Sequence, residues 1–322
     1  MTSTPKTIFT VFAIFCCIAG CQDKDQKRRE MHFNKANQCF EQQDYVCARD
    51  ALQKVIEINP EFTPAYARLG ETYLRLGDVN DAFSAFQKAA ELSPEDNSIQ
   101  IKLATLYLLQ GDFREAKRIL NTVMERDPEN LSALFLMAGI HTKEHELEEA
   151  ARTYEKILNI DPSRERAYTA LANLAIQRRK DKNHLAEAER ILQKGVEKNP
   201  ESLSLRLTLY QLHFRMNNTE KAESTIKNAL EIAPEDPKLH LLLAGIYARQ
   251  AQWEKAEKAY QRAISVNPHN IKSYLAAASF YENTNNYDAA LSMYRRALEL
   301  QPENIGLMLA LSDFYISANQ LD

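Results

Sequence analysis

Any chemistry in this chain would have to come from its histidines, cysteines and carboxylates, and two constellations have usable spacing. His141-Thr142-Lys143-Glu144-His145 sets two imidazoles around a carboxylate as H-x-x-E-H, donors that can hold zinc when one helix aligns them on a single face. Here Glu144 and His145 fall where a helix should give way to a turn, so the donors do not share a face and no metal site is expected. Cys39 and Cys47 form the second constellation, four residues to either side of Gln43. Their thiols can meet across a hairpin: in an oxidising compartment as a disulfide, otherwise as two small buried hydrophobes. The sequence has no Gly-rich phosphate loop, nucleophile elbow or Cys-x-x-Cys pair, and its carboxylates are scattered over outer helix faces near Lys or Arg. Neither enzymatic activity nor a cofactor is expected.

The elements that carry these residues show best between Thr63 and Pro94. Tyr66, Leu69, Gly70 and Tyr73 fall on one face of a first helix, and Ala82, Phe86 and Ala89 on one face of a second, joined by a Gly77-Asp78 turn. Small residues at Gly70 and Ala82 let the two backbones approach while Tyr73 and Phe86 fill the remaining space. The prolines then set the period. Pro60, Pro94, Pro128 and Pro162 follow one another at a constant step, Pro200, Pro234, Pro268 and Pro302 repeat that same step, and a single longer one joins the two series. The Ala82 place is alanine throughout, as Ala48, Ala116, Ala150, Ala188, Ala222, Ala256 and Ala290. The Gly70 place is small everywhere except at Tyr210, and His141 and His213 stand at the Tyr73 place, where packing explains them.

This pattern resembles the tetratricopeptide repeat, with W-x2-L-G-x2-Y, A-x3-F and a closing Pro matched here and Tyr66 in place of Trp. The resemblance implies an all-α, right-handed superhelical solenoid of helix-turn-helix repeats over residues 29–322, eight full repeats and a truncated ninth. Because the chain stops at Gln320-Leu321-Asp322, where a second helix should begin, it is expected to be a fragment of a longer protein. The fifth repeat holds the one irregularity, an extended turn with Arg178, Arg179, Lys180 and Lys182, to be read as a solvated loop or as a contact for a partner or an anionic surface.

The start of the chain lies outside the repeat. Lys6 precedes an apolar run from Ile8 to Ile18, too short to span a bilayer, that ends in Ile18-Ala19-Gly20-Cys21. This looks like a bacterial lipobox, which implies that residues 1–20 are a signal peptide and that Cys21 is lipidated; an ordinary signal peptide or an uncleaved anchor is the alternative. Gln22 after the cysteine implies, by the same resemblance, an outer-membrane protein facing the periplasm. Residues 21–28 read as a polar tether.

With 44 acidic and 40 basic residues the net charge is -4, and no basic face is evident to carry nucleic-acid affinity. Contact with a membrane is expected through the lipid anchor alone. In tetratricopeptide arrays the first helices line a concave groove, and the register assigns to it Phe33, Ile101, Phe135, Leu207, Leu241 and Leu275 in one row, with Asn37, Asn173 and Gln211 in the next. An apolar groove with small polar breaks suits other proteins or peptide segments that carry hydrophobic anchors. A lysine-based clamp for a C-terminal carboxylate is not supported, because the first row holds no lysine. A lipobox followed by a long array is similar to the tetratricopeptide lipoproteins of exopolysaccharide export and exosortase systems, which implies a membrane-anchored interaction scaffold. The alternatives are a type IV pilus-assembly lipoprotein and the substrate-reading arm of an enzyme whose catalytic part lies beyond residue 322.

Overall fold

Seven of the hairpin turns pivot on one residue in the left-handed region. Gly77 and Gly111 take it with φ of 89° and 81°, and Gln43, His145, Asn217, Ala251 and Asn285 take it without being glycine. All seven occupy one place in the register, the same step ahead of the proline that closes their repeat. The turn closes as a helix C-cap: the N–H of the next residue returns to the carbonyl five places back, as from Asp78 to Tyr73 at 2.9 Å and from Asn286 to Tyr281 at 2.8 Å. That same residue then opens the second helix, where the side chains of Asp44, Asp112, Asn218 and Asn286 accept from backbone N–H groups three residues on.

Between repeats the proline ends the second helix region, and at four of these prolines the carbonyl is taken up by the side chain six residues later. Tyr168 and Tyr274 donate to Pro162 and Pro268 at 3.1 and 3.0 Å, Gln100 donates to Pro94 at 3.2 Å, and His240 lies 2.8 Å from the Pro234 carbonyl. A backbone acceptor that the helices cannot satisfy is thus paired locally.

The computed structural model describes residues 6–178 and 183–319, with side chains from Lys24 to Arg178 and from Asn183 to Ser317. It is all-helical over these residues, in two compact units, Met1–Thr153 and Tyr154–Asp322. The first holds α1 (Lys6–Glu41), α2 (Tyr45–Ile58), α3 (Thr63–Leu76), α4 (Val79–Leu92), α5 (Asn97–Gln110), α6 (Phe113–Arg126) and α7 (Leu131–Lys143), and the unit boundary falls within α8 (Leu147–Ile160). The second continues with α9 (Glu165–Gln177), α10 (His184–Lys198), α11 (Leu203–Arg215), α12 (Thr219–Ile232), α13 (Pro237–Arg249), α14 (Trp253–Val266), α15 (Ile271–Asn283), α16 (Tyr287–Leu300) and α17 (Ile305–Asn319). Within each unit the helices pack in chain order, first against second and second against the next first.

The core follows the small-large alternation expected from the sequence. Ala82 and Phe86 are fully buried, and a Cβ built on Gly70 would stand 2.6 Å from the Phe86 ring. In the first unit Leu52, Val55 and Leu69 share one cluster and Phe86, Leu103, Leu120 and Met137 another. In the second, Tyr168, Leu192 and Leu205 gather in one cluster, and Ile226, Leu239, Tyr260 and Phe280 in the next.

Residues 21–28, read as a polar tether, lie inside α1. They contain no glycine or proline, and their charges are spaced for helix: Gln26 donates to Glu30 at 3.0 Å and Arg28 sits 3.7 Å from Asp25. No helix among the described residues is long and apolar enough to cross a membrane.

Candidate functional site

In the first unit the first helices α1, α3 and α5 enclose a cleft of about 610 Å³. Phe33 forms one wall, edge-on to Phe62 with ring centroids 5.3 Å apart, and Ala67 and Ile99 contribute apolar floor. Across this floor runs a charged strip. Arg68 Nε donates to Asn37 Oδ1 at 3.0 Å, Arg68 Nη1 meets Glu71 at 2.9 Å, and Lys102 pairs with the other oxygen of Glu71. The Arg68 guanidinium lies 4.7 Å from the Phe40 ring centre and that of Arg29 lies 4.5 Å from Phe62, so the cations are held flat on aromatic faces.

The cleft is therefore not simply apolar. Arg68 and Lys102 hold the same place in successive repeats, directly after Ala67 and Ile101 of the expected first row, and a helix face wide enough to bind a segment takes in both rows. Ile101, in the first row, is half-buried against the core. Phe135 is half-buried as well.

In the second unit Asn173 and Gln211, of the polar row, are exposed on α9 and α11. The leucines are less available: Leu207 and Leu241 pack against the core cluster, and Leu275 is half-buried. The exposed aromatic on this face is Phe214, with the Arg249 guanidinium 4.7 Å from its ring centre and Arg249 Nη2 donating to Asn217 at 2.7 Å.

The H-x-x-E-H donors divide as the turn dictates. His145 is the left-handed residue of the turn, and the group that comes to His141 is instead Glu146, 2.5 Å from Nδ1. His141, Glu144 and Glu146 bring one ligand atom each within 4.8 Å of one another. The space among them is occupied by a cation already, because Lys117 pairs with Glu144 and lies 3.3 Å from Glu146. The hydrogen bond that Lys117 donates to Glu144, with Glu146 beside it, holds the Lys117 ammonium above its ordinary pKa, and His141 followed by Lys117 holds Glu146 below the usual carboxylate range.

A second polar cluster lies buried in the second unit. His213, 3 % exposed, has Nδ1 at 3.1 Å from Thr225 Oγ1 and Nε2 at 3.2 Å from Glu189, while Lys221 reaches the same Glu189 oxygen at 2.5 Å. Burial pushes the imidazole pKa down, against the pull of Glu189. Both ring nitrogens are partnered, which marks the cluster as a joint between repeats.

Cys39 and Cys47 are bonded as a disulfide across the first turn, with Cα atoms 5.8 Å apart. The side chain of Cys21 lies outside the described residues, as do Arg179, Lys180 and Lys182 of the basic turn.

Residues 22–168 match the family model described as the tetratricopeptide domain of cytochrome c-type biogenesis protein H, and further tetratricopeptide models match 181–246, 223–279 and 271–304. A comparison with curated proteins finds no match. Among solved structures, the C-terminal part of a tetratricopeptide repeat-containing protein from Cytophaga hutchinsonii is 16% identical, with a TM-score of 0.57, covering 76% of this chain and 98% of its own. A tetratricopeptide repeat protein from Parabacteroides merdae is 18% identical over 79% of this chain and 98% of its own, with a TM-score of 0.47. The MamA protein is 20% identical over 55% of this chain and 94% of its own, with a TM-score of 0.49.

Proposed function

Since the chain is a tetratricopeptide-repeat protein, we propose that it is an interaction scaffold that holds segments of partner proteins on its first helices, lipid-anchored through Cys21 at the periplasmic face of a bacterial outer membrane and serving an envelope export or assembly system such as exopolysaccharide export. Tetratricopeptide arrays bind proteins or peptides and are in general not catalytic. The observation that carries the reading is the cleft over α1, α3 and α5, where an aromatic wall and an apolar floor are crossed by Arg68, Glu71 and Lys102. An extended or helical segment gains affinity from apolar anchors on such a floor and orientation from the charged strip.

The anchor and the compartment are supported by Ile18-Ala19-Gly20-Cys21 and by the Cys39–Cys47 bridge, a bond that persists where thiols are not kept reduced. The match of residues 22–168 to the cytochrome c-type biogenesis domain favours a second reading, a scaffold in cytochrome c assembly.

A crosslinking pull-down from envelope fractions tests both, with the full-length protein as bait and Ala67→Glu and Lys102→Glu as groove variants. Recovery of polysaccharide-export components, lost in both variants, supports the first reading. Recovery of haem-attachment or pilus-assembly components moves the protein to those systems, and capture that survives both variants removes the site from the first-helix cleft. Globomycin separately tests the anchor: normal maturation in its presence defeats lipidation at Cys21.

A further inference from the structure

The second unit has another opening, between the second helices α14 and α16 of neighbouring repeats, with α15 as its floor and a volume of about 470 Å³. None of its lining residues belongs to the groove rows. The same place in the register recurs between α8 and α10 over α9, where the space is only about 90 Å³. Side-chain size accounts for the direction of this difference. Ala277 stands where the narrow cleft has Leu171, and Ser292 where it has Arg190, while Tyr281 in place of Ala175 makes the wider floor aromatic.

Donors face this space together with the acceptors Gln261, Ser265 and Glu299, and some of those donors have N–H or O–H groups to spare. Tyr274 and Tyr281 spend their hydroxyls on Pro268 and on Glu257, at 3.0 and 2.8 Å. The Tyr260 hydroxyl has no hydrogen-bond partner among the described residues, and burial raises its pKa, so it stays protonated and able to donate. Ser292 is exposed at the rim. Arg296 gives Nη1 to Glu299 at 2.9 Å, and a guanidinium has further N–H groups in the same plane. An occupant that fits must bring an apolar body for the tyrosine floor and a negative or accepting group for the rim.

We propose that this cleft is a second docking site, distinct from the first-helix groove, for a partner segment whose aromatic side chain seats over Tyr260, Ala277 and Tyr281 with an adjacent carboxylate at Arg296. Its volume exceeds that of one side chain and falls in the range of ligand pockets, about 300–1,000 Å³, which leaves room for the acidic neighbour as well as the ring.

Met293 lines the cleft and supplies the readout. The full chain, labelled with 13C at its methionine methyls and with Met293 assigned by its absence in Met293→Leu, is titrated with the blocked peptide Ac-Ala-Phe-Glu-Ala-NH2, its Gln counterpart and 3-phenylpropionate. The Phe-Glu peptide is expected to move the Met293 methyl and to bind about threefold or more tighter than the Gln peptide, the contribution of one exposed ion pair. Ala277→Leu with Ser292→Arg, which installs the residues of the narrow cleft, is expected to abolish the shift; Ser292→Arg alone, a surface change, covers the case in which the double variant unfolds. Equal binding of the two peptides, or a shift that survives Ser292→Arg and the double variant, overturns the proposal. Binding of 3-phenylpropionate as tight as that of the peptide also overturns it, assigning the cleft to free aromatic acids. None of these readouts depends on the first-helix groove.

Discussion

The bridge between Cys39 and Cys47 offers a quantitative test of both the first repeat and the compartment. The two cysteines are 8 residues apart, and closing so short a loop in the unfolded chain is worth about 2.5 kcal/mol on the chain-entropy account. In a repeat array stability is close to a sum of local terms, so reduction should not lower the whole chain evenly. It should speed hydrogen exchange of α2 amides by about 60-fold, the factor that about 2.5 kcal/mol represents where exchange proceeds through opening of that repeat. Amides of α11 to α16 act as internal controls and should not change. The assay is exchange mass spectrometry on a chain beginning at Lys24, in which Cys39 and Cys47 are the only cysteines, with and without dithiothreitol and with Cys39→Ser and Cys47→Ser together. Thiol titration of the same material should find none before reduction and two after. Two free thiols in the untreated protein, or an α2 exchange rate unchanged by reduction, would refute the bridge as a stabilising element and remove its support for an oxidising location.

Ala251 takes a left-handed φ of 56°, which costs an alanine about 1–2 kcal/mol, part of it offset by the entropy glycine adds to the unfolded chain. Ala251→Gly should therefore raise stability by about 0.5–1 kcal/mol in urea titration. A Cβ on Gly195 would stand 2.8 Å from Cγ of Tyr168, which is 1 % exposed. Overpacking should thus outweigh the helical gain, and Gly195→Ala should cost about 1–2 kcal/mol, an expectation defeated by a neutral or stabilised variant. For His213 the folded pKa is lowered, by burial first. The folded chain therefore binds its proton less readily than the unfolded one, so stability is complete above the unfolded pKa of about 6.5 and falls below it. Urea titrations at pH 7.5 and 5.5 should show a smaller loss in His213→Gln than in the native chain, and parallel losses would sink the assignment.

The hairpins were legible in the sequence because a constant period repeats each constraint many times, so the prolines, the alanines of the second helix and the turn place reinforce one another. The meeting of Cys39 and Cys47 was legible for a similar reason, since mirrored places about a known turn bring two side chains together, though not whether they are bonded. What escaped was anything decided by one residue of rotation. Arg68 and Lys102 sit one step from the expected groove row, and a row read singly misses them. At the His141 turn the left-handed residue His145 leaves Glu146, as the first residue of the next segment, to face His141, and an H-x-x-E-H pattern cannot show that reversal. The helical character of residues 22–28 was hidden by composition, because mixed charge reads as solvated chain until i,i+3 and i,i+4 partners are counted. The wide cleft over α15 has its signal in Ala277 and Ser292, which carry meaning only when set beside Leu171 and Arg190.

The joints between repeats explain why such variation is tolerated. At several of these joints one side chain of a second helix meets one of the next first helix across the proline that divides them, from the same pair of places in the register. Phe83 stacks edge-on with Tyr107 at 4.9 Å, Glu189 meets His213 at 3.2 Å, and Glu257 accepts from Tyr281 at 2.8 Å. An aromatic pair, a buried acid with an imidazole, and an acid with a phenol all serve, so the place demands complementarity and not a given residue. The longer fifth repeat obeys the same spacing, because its additional residues enter between α9 and α10, upstream of Glu189. An insertion in that turn leaves the Glu189–His213 joint untouched, and Gly195 still approaches Tyr168 closely enough to seal α10 on α9. Length can therefore change at the turn inside a repeat, where only the surface differs, whereas a change between the second helix and the next first helix would break the joint itself.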